Sequence, residues 1–224
     1  MTGDPSYHVW ARLDYRPAVR ALYPLELLVH LPVGSRVLDV GCGRGYVSID
    51  LATRGMRVTG IDINSAALTK ARQNVPAALQ KQVDFMQADF LDVDVGSFDA
   101  VLGIRFLTCL PDAGDRERAM TRFRQAVVPG GLCYIEDFLL FPQSAMYAAR
   151  YAQGVALGWP YGNFTVRDRN DDLLFVAHHH SDEELERIIE RFEVIARREF
   201  RSLSMNGNDV RMFEFIGRSH QPFP

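Results

Sequence analysis

The stretch Val37-Leu38-Asp39-Val40-Gly41-Cys42-Gly43-Arg44-Gly45 leaves this chain few folds to choose from. Val37, Leu38 and Val40 read as a buried strand, with Asp39 set just before its end. Gly41, Gly43 and Gly45 let the backbone turn tightly and approach a ligand with no Cβ in the way. Residues 46–54 are helix-compatible, so the loop opens a helix. Strand, glycine turn and helix in this order build a nucleotide site in doubly wound sheets. The dinucleotide fingerprint spaces its glycines G-x-G-x-x-G behind apolar residues and seats a pyrophosphate on the helix N-terminus. Here the spacing is G-x-G-x-G, with a carboxylate two residues ahead. Asp39 repels a pyrophosphate and suits a ligand that carries an ammonium and a sulfonium.

The rest of the chain repeats the alternation. Strands are expected at 36–40, 57–61, 83–87, 98–104 and 132–138. Helices are expected from 46 to 54, from a cap at Asn64 or Ser65 to 74, and from 115 to 127, the last closed by Pro129-Gly130-Gly131. Such units imply right-handed crossovers and a parallel sheet covered on both faces. Ahead of them, residues 5–31 carry apolar positions at helical spacing, with Pro17 suited to a helix start and Pro24 to a kink.

After residue 141 the pattern changes. A helix is expected at 143–157, a hairpin from 164–167 and 173–178, and a capping box Ser181-Asp182-Glu183-Glu184 opening a helix to 192. Strands 193–203 and 210–217 flank Asn206-Gly207, a strong hairpin signal. The fold class is therefore α/β: a Rossmann-like, seven-stranded, mostly parallel sheet with helices on both faces and an antiparallel C-terminal strand. A single domain over 1–224 is expected, divided into an N-terminal helical cap (1–32), a ligand-binding core (33–140), a lid insertion (141–180) and a C-terminal helix and strand pair (181–224).

Charge and cysteine content narrow the function classes. The formal net charge of −3 gives no reason to expect a nucleic-acid backbone as partner. Arg116, Arg118, Arg122 and Arg124 crowd one short helix and read as a solvated face salt-bridged to Asp115 and Glu117. Cys42, Cys109 and Cys133 form no C-x-x-C pair, so they read as reduced cytoplasmic thiols. No basic segment followed by an apolar run opens the chain, and no run of apolar residues reaches membrane-spanning length, so neither export nor a membrane partner is expected.

In its order of motifs the chain resembles the class I S-adenosylmethionine-dependent methyltransferases over about residues 33–140, and in layout at its C-terminal end. Asp62 ends the second strand at the position whose carboxylate, in that family, accepts from both ribose hydroxyls, and Ile63 matches the apolar residue on the adenine face. Gln87-Ala88-Asp89-Phe90 follows strand three, where the family places an acid on the adenine amino group. Phe98-Asp99-Ala100-Val101-Leu102 and Val128-Pro129-Gly130-Gly131-Leu132 match its fourth-strand opening and the turn before strand five.

The resemblance implies S-adenosyl-L-methionine as cofactor. It would be held by Asp39, Gly41, Gly43, Gly45, Asp62, Ile63, Asp89 and Phe90, with Arg105 bordering the methionine end. Ile104-Arg105-Phe106-Leu107 stands where base amino methyltransferases carry Asn or Asp before Pro-Pro-aromatic. Arg105 also cannot ligate the magnesium of catechol-type enzymes. What remains is an enzyme that methylates an oxygen or nitrogen of a small-molecule acceptor, acting as a monomer or homodimer. Other openings are an RNA or protein methyltransferase of the same fold and a non-catalytic cofactor-binding subunit.

Acceptor-side residues are less constrained. Glu136 and Asp137 end strand five and are candidates to orient or deprotonate an acceptor. Tyr147, Tyr151, Trp159, Tyr161 and Phe164 are candidates for an aromatic lid, and Tyr15 with Arg16 for closure over the methionine end. Of His178-His179-His180, alternation along a strand lets at most two share a site. His178 or His179 is a candidate base, and no metal is expected because no acid or cysteine stands at ligand spacing.

Overall fold

The computed structural model describes residues 7–12, 23–167, 170, 172–204 and 206–220. Tyr15, Arg16 and Pro17 lie outside them. The strands form one seven-stranded sheet and a separate two-stranded sheet.

The centre of the sheet is β1 (Arg36–Val40), flanked in parallel by β2 (Arg57–Asp62) and β4 (Phe98–Ile104). Outside these lie β3 (Val83–Gln87) and β5 (Val127–Leu139), also parallel. Chain order reverses between β1 and β4, and that switch point opens a crevice at the strand carboxyl ends. Two long strands, β8 (Glu193–Leu203) and β9 (Asp209–Arg218), complete the sheet antiparallel beside β5, joined through the Asn206-Gly207 turn.

Apolar residues on both faces explain the buried runs. Leu38, Val40, Val101 and Ile135 pack one face with Phe123 of α4 (Ala113–Ala126) and with Ile188 and Ile189 of α6 (Asp182–Ile189). Val37, Val58, Ala100 and Tyr134 pack the other with Leu51 of α2 (Tyr46–Thr53) and Leu27 of α1 (Leu25–Val29). The third helix of the core, α3 (Ser65–Asn74), is capped by the Asn64 side chain, which accepts from Ala67 N at 2.9 Å.

Two boundaries differ from the sequence expectation. Pro129-Gly130-Gly131 lies inside β5, which begins at Val127. Phe98 pairs with Val127 and Ala100 with Leu132, so the four intervening residues bulge from the ladder. Gly130 N meanwhile donates to Ser219 O at 3.1 Å, which keeps the bulge attached to the sheet. The capping box at Ser181 forms, but α6 stops at Ile189 because Phe192 turns inward against Phe215. No helix among the described residues is long and apolar enough to cross a membrane.

Between β5 and α6, helix α5 (Ala145–Ala156) packs against the hairpin of β6 (Asn163–Arg167) and β7 (Leu173–His178). The contact is close at Gly154, where a Cβ would stand 2.1 Å from the Asn163 carbonyl oxygen. Gly154→Ala is therefore expected to cost about 1–3 kcal/mol or more, because backbone rather than a side chain must give way. Urea denaturation checks this; an unchanged midpoint would mean that the helix can move off the hairpin freely.

Candidate functional site

A cavity of about 510 Å³ occupies the switch-point crevice, roofed by α5, the β6–β7 hairpin and the N-terminal 3-10 helix Tyr7–Arg12. Asp39, Gly41, Gly43, Asp62, Ile63, Asp89, Phe90 and Arg105 all border it. Gly45 does not. It is the N-cap of α2 at φ +75°, and a Cβ there would meet the Phe85 ring at 2.5 Å, so it shapes the loop from behind.

The loop holds its acids by backbone amides. Gly43 N and Asn64 N each donate to one Asp62 carboxylate oxygen at 2.8 Å. Burial pushes the Asp62 carboxyl up, and these amide bonds oppose it. Asp39 is 2% exposed and accepts from the Ser48 hydroxyl at 2.6 Å. Burial pushes its carboxyl up to about 7, with Ser48 opposing and the Asp62 charge adding to the rise. Asp89 accepts from Leu91 N at 2.9 Å and from the hydroxyl of Tyr7.

Of the acceptor-side candidates, Glu136 and His179 border the cavity, whereas Asp137 and His178 do not. Consecutive strand residues face opposite ways, which separates Glu136 from Asp137 and His179 from His178. Asp137 is buried behind the site, accepting from Thr108 N at 3.0 Å and Phe138 N at 2.8 Å, and burial pushes it up to about 7. His178 turns away to Asn163 and Glu184.

Arg105 borders the cavity and pairs with Glu136 through an Nε–Oε1 contact of 3.1 Å. Its backbone sits at φ +55°, the one left-handed non-glycine residue among those described, pinned by Arg105 N donating to Glu136 O at 2.7 Å.

His179 stacks on Phe138, meets Phe164 edge-on and is nearly fully buried. The Tyr151 hydroxyl accepts from Phe141 N at 3.2 Å and shares a hydrogen bond with His179 Nδ1 at 2.8 Å. Burial, with the nearby His178 and Arg150 charges, lowers the pKa of His179 to about 3 and keeps it neutral.

The aromatic lid divides. Tyr147 and Phe164 border the cavity; Tyr151 stands behind His179, and Trp159 and Tyr161 lie outside. Several lining residues carry no signal in the sequence reading. Tyr7 and Trp10 enter from the N-terminal 3-10 helix, where Asn64 Nδ2 donates to Trp10 O at 2.8 Å. Arg150 lies over the rings of Tyr147 and Phe164 at 5.5 and 5.8 Å. Asn206 and Asn208 come from the β8–β9 turn, which their turn propensity alone accounts for.

The basic helix is dispersed. Arg116 is buried against Glu184, Arg118 pairs with Asp92 and Asp115, and Arg122 caps carbonyls of the 91–92 loop. Glu117 pairs with Arg191 rather than with a helix arginine.

These residues fit S-adenosylmethionine. Asp39 is a buried carboxylate held by the hydroxyl and backbone amide of Ser48, a site short of positive charge that an ammonium would complete. The amides of Gly43, Asn64 and Ile63 address the Asp62 carboxylate, which borders the cavity and can accept further from ribose hydroxyls. At Gly43 an added Cβ would meet nothing within 4 Å, so the backbone there is open to the cavity.

Comparison with known proteins agrees. Residues 37–131 match the family model described as a methyltransferase domain. A solved SAM-dependent methyltransferase from Methanosarcina mazei superposes with a TM-score of 0.83 at 30% identity, covering 90% of this chain and 99% of that one. A ubiquinone biosynthesis O-methyltransferase of Alkalilimnicola ehrlichii is 36% identical over 61% of this chain, which spans about half (51%) of that relative. An S-adenosyl-L-methionine-dependent Diels-Alderase of Talaromyces variabilis is 37% identical over 45% of this chain and 35% of its own length. With the cradle geometry and a near full-length relative in agreement, the chain belongs to the class I S-adenosylmethionine-dependent methyltransferases.

Proposed function

We propose that the chain transfers the methyl group of S-adenosylmethionine to an oxygen or nitrogen of a small, planar acceptor. One observation carries this reading. A single cavity joins the acidic cradle of Asp39, Asp62 and Asp89 to a chamber walled by Phe138, Tyr147 and Phe164. Asp62 would hold the ribose, Asp39 the ammonium and Asp89 the adenine amino group. The bound cofactor supplies an electrophilic methyl on a sulfonium. Everything else the chain must do is positional: hold the nucleophile in line and exclude water.

Ring faces from β5, α5 and β6 favour a flat acceptor. His179, a neutral imidazole on the cavity wall, offers a hydrogen-bonding group to orient it. Glu136, held by Arg105, is the acceptor-side carboxylate that can take the proton of a phenol or an ammonium as its nucleophile is used. A macromolecular acceptor finds no support, since Arg116, Arg118 and Arg122 are individually engaged rather than forming a continuous basic surface. The free thiols of Cys42, Cys109 and Cys133 support a reducing, cytoplasmic setting.

Labelled S-adenosylmethionine with a panel of phenols, hydroxybenzoates and aryl amines tests the proposal. Transfer of label to a low-mass product is expected, and label found only in RNA or protein would replace it. Asp62→Ala is expected to weaken binding of S-adenosylhomocysteine about ten- to a hundredfold, the loss of a charged hydrogen bond worth roughly 1.5–3 kcal/mol. Calorimetry showing unchanged affinity would remove Asp62 from the site.

A further inference from the structure

On the side of β7 facing away from the cavity, the structure assigns a zinc site to His178, His180 and Glu184. Asn163 Nδ2 donates to Pro111 O at 2.9 Å, so its Oδ1 is the acceptor that faces His178 Nδ1 at 2.6 Å. His178 must therefore carry a hydrogen on Nδ1, and the neutral imidazole presents a lone pair at Nε2. That lone pair points at another acceptor, Glu184 Oε2, 3.1 Å away.

Within the fold this opposition is relieved only if the imidazole takes a second proton and donates it to Glu184. The other oxygen of Glu184 is taken by Arg116 at 2.9 Å, and Ser181 N already donates to Oε2 at 2.9 Å. Beside the pair stands His180, 1% exposed, with neither ring nitrogen hydrogen-bonded to any group. A buried imidazole with both nitrogens unmet is costly unless something binds it.

One cation resolves both defects. The ligand atoms of the three residues lie within 4.8 Å of one another. Two ligands at zinc bonding distance in a tetrahedral shell stand about 3.3 Å apart, close to the spacing of His178 Nε2 and Glu184 Oε2. Two imidazoles and a carboxylate suit zinc over magnesium or calcium. Outer contacts match what such ligands require: His178 gives its other N–H to Asn163, and Arg116 orients the carboxylate from its distal oxygen. Backbone placement is fixed as well, since Thr108 Oγ1 donates to His178 O at 2.7 Å and His180 N donates to Phe138 O at 2.9 Å. The ion would tie the lid hairpin to α6 and hold His179, between the two ligands, facing the cavity.

Chelator-stripped protein dialysed against micromolar zinc is expected to retain one zinc per chain and to melt at a higher temperature. Cobalt substitution is expected to give the visible bands of a four-coordinate site. His180→Phe, which can pack beside Phe213, and Glu184→Gln, which keeps the acceptor for Ser181 N, should each lower zinc affinity at least tenfold. Wild-type protein that retains no more zinc than His180→Phe overturns the assignment. Histidine ¹⁵N spectra of wild type give a reading independent of variant folding. Zinc should move His178 Nε2 and one His180 nitrogen and leave His179 in place; spectra that zinc does not change, or a His178 imidazolium at neutral pH, overturn it.

Discussion

Asp39→Asn is expected to stabilise the ligand-free protein more at pH 8 than at pH 5 while loosening its hold on the cofactor. The carboxyl of Asp39 is buried at the end of β1, held by Ser48, with a second acid, Asp62, nearby. Its pKa rises from 3.8 to about 7, which corresponds to at most about 4 kcal/mol of folding free energy lost when it ionises. Between those two pH values the folded chain keeps a proton that the unfolded chain has released. Stability of the wild type therefore falls as pH rises through that window and levels off above about 7. Asparagine keeps the acceptor for Ser48 and never ionises, so the variant should lack this part of the fall. Asp137, also raised to about 7, contributes its own share in both proteins.

Urea denaturation at pH 5 and pH 8 reads the difference directly: the stability of the variant relative to wild type should be greater at the higher pH. S-adenosylhomocysteine should bind the variant about ten- to a hundredfold more weakly, since its ammonium loses a charged partner. A relative stability no greater at pH 8 than at pH 5 would show that Asp39 carries no unmet charge.

Asp39 was legible because strand and glycine loop are a local signal, and backbone geometry follows from it. The same holds for Asp62 at the end of β2 and for the helix caps at Asn64 and Ser181, where partner and residue are three positions apart. The acceptor side is otherwise. Glu136 and Asp137 are equivalent acids in the sequence, and only the register of β5 against β4 and β9 decides which one meets the cavity. Glu184 is fully explained as the fourth residue of a capping box, which masks its approach to His178, made by packing α6 against the end of β7. Tyr7 reaches Asp89 across 82 positions, a contact that no periodicity encodes. Arg105 reads as a loop arginine until its left-handed backbone and the carboxylate of Glu136 are both in view.

That pair should dominate the energetics of the cavity wall. Arg105→Leu leaves Glu136, whose side chain is 5% exposed, without its cation, and breaking a buried pair from one side costs about 3–5 kcal/mol. Arg105→Gly removes the same charge but is at home at φ +55°, so it should be less damaging by about 1–2 kcal/mol. Replacing both partners, Arg105→Leu with Glu136→Leu, should recover most of the loss, because no ion is then left in the wall. Catalysis should part company with stability at this point. The double variant should fold well and bind S-adenosylhomocysteine, yet turn over a phenolic acceptor far more slowly at neutral pH, recovering as alkali deprotonates the phenol without help. Chemical denaturation and pH–rate profiles separate the two effects. Equal stability of Arg105→Leu and Arg105→Gly would deny the backbone strain. Failure of the double variant to recover would mean the charge of Glu136 is balanced elsewhere, and undiminished turnover would take the carboxylate out of the proton transfer.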